Sequence, residues 1–234
     1  MTKKIYRYLG SVLCGESFYN RPIIQCISSH AKGHRVFVDI GANVGVITVA
    51  AGHKFQRCIA IEPAPSNLAE LRCAVESRKL QNCQIFPVAL ADRAGVATLY
   101  FSRSDKIQKF DSLVRRDGLL ESIQTPVTTL DNIVEESGTT GPFVIKIDVE
   151  GYELKVCKGA VRTLAQECTI VSEFWPWGLR SAGSRPYDYI LFMKERGYEA
   201  HSLNGRLLPE AKLYRLSEMG EHDPFVVTDI LFLK

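Results

Sequence analysis

The sequence predicts an α/β chain: a doubly wound, mostly parallel sheet with an antiparallel closing strand and a helical N-terminal extension. Short β-branched apolar runs alternate with longer stretches of helical periodicity, the pattern of a parallel sheet covered by helices. A glycine-rich turn stands directly between the first strand and the first helix, at the edge where open α/β sheets take their ligands. With 234 residues, 46% of them hydrophobic and 24% charged, the chain is long enough for one large core.

In chain order, residues 1–34 read as helical and stand outside the alternation, whereas residues 35–234 form the α/β domain. Residues 35–40 (RVFVDI) are a strand and residues 43–53 the helix after it. A second strand covers 57–61, bounded by Glu62-Pro63. The helix over 66–79 carries Leu68, Leu71 and Val75 at helical spacing, with Ser66 as its N-cap. A third strand covers 84–90, and the turn Asp92-Arg93-Ala94-Gly95 leads into an antiparallel excursion over 96–101. Residues 102–122 are polar, charged and aperiodic, as in a mobile loop. A short strand at 124–128 and a helix at 130–136 precede the next core strand, 143–148 (FVIKID), and a helix over 153–164. A strand at 169–174, a helix at 188–196 and a closing strand at 226–233 complete the order.

The charge balance narrows the function classes. Lys and Arg number 29 against 26 Asp and Glu, a net charge of +3, which gives no support for a phosphate-backbone binder. The first residues, MTKKIYRYLG, lack the apolar run and cleavage site of a secretory leader. No stretch approaches the roughly 20 apolar residues of a membrane span. The seven Cys form no C-x-x-C pattern, which suits reduced, mostly buried thiols and predicts a cytoplasmic protein.

The most informative segment is Asp39-Ile40-Gly41-Ala42-Asn43-Val44-Gly45. Gly41 and Gly45 remove side chains so that the backbone can approach a ligand, and Asn43 tolerates a left-handed conformation. Nicotinamide-binding turns instead use G-x-G-x-x-G and present a helix N-terminus to a pyrophosphate. A carboxylate at the strand end would repel a pyrophosphate, but it suits the cationic amino-acid end of S-adenosylmethionine. Glu62 closes the second strand roughly 20 residues further on, the offset of an acid that grips ribose hydroxyls. The competing reading is a Gly-rich turn with capping acids.

Four segments now carry a resemblance: VDIGANVGVIT at 38–48, EPAPSNLAEL at 62–71, VALADRAG at 88–95 and IKIDVEGYE at 145–153, with Phe18-Tyr19 upstream. In these pieces, and in their order, the chain resembles the FkbM family of methyltransferases. Asn20 and Ala74 depart from the family pattern. The resemblance implies a class I, Rossmann-like fold with 35–234 as the methyltransferase domain. It also implies S-adenosylmethionine as cofactor and S-adenosylhomocysteine as product. The implied reaction is O-methylation of a hydroxyl on a sugar, glycolipid or polyketide-like small molecule. Carried over, Asp39, Gly41, Ala42, Asn43 and Gly45 surround the methionine portion of the cofactor. Glu62 binds ribose with Pro63 beside the adenine, and Ala89 and Leu90 line the adenine pocket. Asp92 either reaches the adenine amino group or caps its own turn.

Methyl transfer from a sulfonium is an in-line displacement with a good leaving group. The protein has chiefly to align an oxygen and deal with the hydroxyl proton. Lys146, Asp148 and Glu150 alternate along one strand and its exit, so all three are expected to point the same way. Asp148 or Glu150 is the first candidate for the acid that orients or deprotonates the acceptor. Glu173 is the next, and Lys146 pairs with one of them. A structural Lys146–Glu150 ion pair is the competing reading. Asp148 and Glu173 without supporting His make a weak metal signal, so no metal is assigned. Trp175 and Trp177 offer faces for a sugar ring or another flat acceptor.

Two other functions compete. A nucleic-acid 2′-O-methyltransferase is suggested by the run Arg103, Lys106, Lys109, Arg115, Arg116, but Asp105, Asp111 and Asp117 offset it. A non-catalytic module that only binds the cofactor is disfavoured by the acids near the methyl site. The expected partner is a small-molecule or glycan acceptor, not nucleic acid.

Overall fold

The computed structural model describes residues 20–31, 36–101, 112–114, 121–219 and 223–234. Residues 1–19 of the predicted extension, most of the predicted loop over 102–122 and its whole basic run lie outside the described residues.

Helix α1 (Arg21–Ser29) carries Pro22 in its first turn, where a fixed φ and a missing amide do no harm, and buries Ile23, Cys26 and Ile27 along one face. Strand β1 (Val36–Ile40) is buried from end to end, as a central strand must be with helices on both sides. The predicted helix over 43–53 contracts to α2 (Val46–Ala51) and a 3-10 turn at Gly52–Lys54. Asn43 and Gly45 take φ values of 51° and 88°, through which no right-handed helix continues. After β2 (Arg57–Ile61), α3 (Pro65–Ser77) opens on Pro65 with Ala64 as N-cap, so Ser66 is not the cap. The Ala64 amide is bonded by Glu62 instead.

The predicted third strand breaks in two. Strand β3 (Cys83–Phe86) ends where Pro87 removes an amide from the ladder, and the chain leaves the main sheet as β4 (Ala89–Leu90). β5 (Gly95–Phe101) and β6 (Glu121–Thr128) complete a second sheet, in which β4 runs parallel and β5 antiparallel to β6. Helix α4 (Leu130–Ser137) is capped by the Thr129 hydroxyl oxygen and ends at Gly138, φ 62°. Strand β7 (Phe143–Ile147) follows. The predicted helix over 153–164 splits into α5 (Glu153–Lys158) and α6 (Val161–Leu164) at Gly159, where a β-carbon would overlap the Ala91 carbonyl oxygen. Then come β8 (Cys168–Phe174), α7 (Pro176–Ser181), α8 (Pro186–Lys194), β9 (Glu199–His201), α9 (Glu210–Met219) and β10 (Thr228–Leu233). The sequence pattern predicts none of α7, β9 and α9; the first two are too short to display a period.

The main sheet has the order β3-β2-β1-β7-β8-β10-β9. Its pairings are parallel except those of β10, which is antiparallel to both β8 and β9. Chain order reverses between β1 and β7, which opens a crevice at the carboxyl edge of the sheet. Alternate strand residues enter opposite layers. Val36, Val38, Ile40, Phe143, Ile145 and Ile147 join one core, whereas Phe37 and Val144 join the other with Ile23 and Ile27 of α1. Cys26, Cys58, Cys157 and Cys168 are buried free thiols, Cys83 is half-buried and Cys73 is exposed. Among the described residues no helix is long and apolar enough to cross a membrane.

Candidate active site

Between β1 and α2 the backbone turns through left-handed conformations at Gly41, Asn43 and Gly45. The amides of Gly41 and Ala42 both donate to the Ile61 carbonyl at 3.0 Å, and the Asn43 amide donates to Glu62 Oε2 at 2.8 Å. The loop is therefore tied to the exit of β2. Glu62 is buried, and its Oε1 accepts the Ala64 amide at 2.9 Å and Asn67 Nδ2 at 3.4 Å. The glycines also have a packing reason that the sequence does not disclose. A β-carbon on Gly41 would overlap the Asp148 carbonyl oxygen, and one on Gly45 would lie 2.7 Å from Leu71 Cδ1.

Register decides what Asp39 does. It pairs with Lys146 across β1 and β7, and both lie on the sheet face that α1 and α2 cover. Asp39 is fully buried; its Oδ2 accepts the Thr48 hydroxyl at 2.6 Å, and its Oδ1 lies 3.4 Å from Lys146 Nζ. Lys146 Nζ also donates to the Gly41 carbonyl at 2.8 Å and lies 3.7 Å from Asp148 Oδ2. One buried ammonium thus links the glycine loop, Asp39 and Asp148. Lys146 joins two acids, Asp39 and Asp148, although the sequence reading gave it one partner among Asp148, Glu150 and Glu173.

Strand alternation stops at Ile147, so it does not carry Glu150 to its position. A turn does. Glu150 adopts φ 56° and Gly151 φ 105°, and the carboxyl group of Glu153 at the start of α5 holds the turn. Glu153 Oε1 accepts the Val149 amide at 3.2 Å and the Gly151 amide at 3.1 Å. Burial pushes Glu153 up to about 7, and the charge of Asp148 adds to the rise while the amides of Gly151, Val149 and Glu153 itself oppose it. On β8 the register Lys146↔Val171, extended by two residues, brings Glu173 beside Asp148. Oxygens of Asp148, Glu150 and Glu173 come within 4.8 Å of one another. Acids so placed can share a proton or hold a cation. Asp148, just past the end of β7, is half-buried, whereas Glu173 on β8 is buried.

The aromatic pair follows Glu173 where β8 gives way to α7. Trp175 is buried, donates through Nε1 to the Pro224 carbonyl at 2.7 Å, and lies 5.3 Å from the half-buried Trp177 ring to ring. Gly151 packs on the Gly178 carbonyl, and Gly178 on the Trp175 ring, so closely that neither glycine has room for a β-carbon.

Ala42, Ala89 and Leu90 are buried, Pro63 is half-buried and Asp92 is exposed beyond β4. Strand β4 pairs with β6 and not with β5, so the Asp92 turn closes no two-strand hairpin. Three polar residues of the arrangement have no role in the sequence reading: Thr48, Asn67 and Glu153. All lie inside the four segments that carried the resemblance, where a polar residue amid an apolar helix face was the available signal.

Residues 39–200 match the family described as the methyltransferase FkbM domain. The hexuronic acid methyltransferase AglP of Haloferax volcanii (strain DS2) is 24% identical over 206 residues, which cover 88% of this chain and 74% of AglP. The crystal structure of methyltransferase FkbM from Methylobacillus flagellatus KT aligns with a TM-score of 0.54 at 18% identity. That alignment covers 86% of this chain but 43% of the other, so the chain spans less than half of that relative. The O-methyltransferase TomG of Streptomyces achromogenes, solved with S-adenosylmethionine, aligns with a TM-score of 0.51 at 9% identity, covering 90% and 77%. Similarity at these identities establishes the class I methyltransferase fold.

Proposed function

We propose a reaction and an acceptor class for this chain, which belongs to the FkbM methyltransferase domain family over residues 39–200: transfer of a methyl group to a sugar hydroxyl in a glycan or related small molecule. The cofactor of the family's reaction is S-adenosylmethionine. The crevice suits it by charge. Glu62 at the exit of β2 and Asp148, Glu150 and Glu173 at the exits of β7 and β8 give it negative charge, while Lys146 is engaged by the buried Asp39, by Asp148 and by the Gly41 carbonyl. A cationic ligand fits such a lining better than a pyrophosphate does. Gly41, Ala42, Asn43 and Gly45 would hold the amino-acid end, Glu62 the ribose, and Pro63, Ala89, Leu90 and Asp92 the adenine side. When bound, the cofactor supplies an activated methyl group on a positively charged sulfur.

The observation that carries the catalytic reading is the convergence of Asp148, Glu150 and Glu173 beside the glycine loop. Asp148, the more exposed of the two strand acids, orients the acceptor hydroxyl and accepts its proton. Lys146 orients the Asp148 carboxylate. Glu150 and Glu173 flank it and keep the pocket negative beside the cationic sulfur. Trp177 offers a face on which a sugar ring can stack. The choice of a sugar draws support from the likeness to a hexuronic acid methyltransferase.

The test uses the full chain with methyl-labelled S-adenosylmethionine and a panel of uronic-acid oligosaccharides. Label is expected in an alkali-stable methyl ether. Asp148→Ala is expected to lower kcat at least about a hundredfold while S-adenosylhomocysteine affinity by calorimetry stays within about threefold. Full activity in that variant removes Asp148 from catalysis, and an alkali-labile product moves the acceptor from hydroxyl to carboxylate.

A further inference from the structure

Glu153 is fully buried at the first residue of α5, yet helix starts are ordinarily served by Ser, Thr, Asp or Asn at the surface. Burying a carboxyl is unfavourable unless its oxygens are bonded, and Oε2 of Glu153 has no hydrogen-bond donor among the described residues. Oε1, by contrast, takes both amides that flank Glu150. Those amides bracket a non-glycine residue at φ 56°, a conformation that persists only where its surroundings enforce it. The opposite side of the turn is closed by the contact of Gly151 with the Gly178 backbone. The turn is thus clamped between a carboxyl oxygen and a helix backbone.

We propose that Glu153 is a positioning residue for methyl transfer: through the Val149 and Gly151 amides it sets the turn that brings Asp148 and Glu150 together with Glu173. This rests on the catalytic reading of those acids given above. Glu153 has no exposed surface, so it acts through the turn and touches no acceptor.

Two substitutions separate the roles. Glu153→Gln keeps an oxygen acceptor for both amides, whereas Glu153→Met keeps the length and removes the acceptor. With the uronic-acid panel and labelled cofactor, Glu153→Met is expected to lower kcat at least thirtyfold, with KM and S-adenosylhomocysteine affinity within threefold of the parent. Glu153→Gln is expected to restore kcat to within fivefold. Equal kcat in the two variants, or a loss of cofactor affinity in step with kcat, overturns the proposal. A second measurement needs neither an acceptor nor a folded Met variant: amide hydrogen exchange at Val149 and Gly151. Both amides are expected to be slow in the parent and in Glu153→Gln, and fast exchange in the parent overturns the clamp. Failure of the parent to methylate the panel would count against the acceptor class alone, since the exchange result stands apart from it.

Discussion

At the scale of single residues, burial makes Glu153 a titrating group near neutrality. The folded state holds its proton up to about pH 7, whereas the unfolded chain releases it near 4.5. Between those values the folded protein binds more protons, so this group's contribution is fully present below pH 4.5 and is lost as pH rises through 7. The loss amounts to about 3 kcal/mol. Among the described residues, the charge of Asp148 acts on this carboxyl, and its own charge raises the Cys157 thiol and the Tyr189 hydroxyl. Chemical denaturation of the parent and Glu153→Gln should therefore show the variant gaining stability relative to the parent from pH 4.5 to 8. A difference that stays flat across this range would mean that Glu153 is ionised throughout.

At the scale of elements, the β1–α2 loop is constrained by backbone meeting backbone. Gly41 has φ 74° and no room for a β-carbon against the Asp148 carbonyl, a contact that brings the exits of β1 and β7 together. Gly41→Ala is expected to destabilise by at least about 2 kcal/mol, from the left-handed conformation and the overlap combined. Gly95, with open space around its α-carbon and no left-handed φ, is the control. Gly95→Ala should change stability by no more than about 0.5 kcal/mol in the same urea titration. Equal effects at the two positions would mean that the loop relaxes away from Asp148.

At the scale of the whole molecule, strand order reverses between β1 and β7, so a ligand bound as proposed would touch the exits of β1, β2 and β7 together. A ligand that binds only the folded state stabilises it by about 2.7 kcal/mol at a hundred times its Kd. For a chain of this length that corresponds to a rise in Tm of roughly 5–10 °C. S-adenosylhomocysteine is expected to give such a rise, and ATP and NADH none. A shift with ATP or NADH and none with S-adenosylhomocysteine would overturn the charge argument for the crevice.

Strand identity was legible because it is local chemistry. The β-branched runs at Val36–Ile40, Phe143–Ile147 and Cys168–Phe174, and the break between strand and helix at Gly41–Gly45, are written in residue type and spacing. The two acids at the ends of β1 and β2, Asp39 and Glu62, were legible for the same reason. What those acids touch was not legible, because it depends on which strands lie side by side. The β1–β7 register assigns Lys146 to Asp39, the β7–β8 register brings Glu173 to Asp148, and a buried Glu153 folds the turn that holds Glu150. These contacts join residues from separate parts of the chain, and no window of neighbouring residues records them. Only the folded sheet brings them within reach of one another.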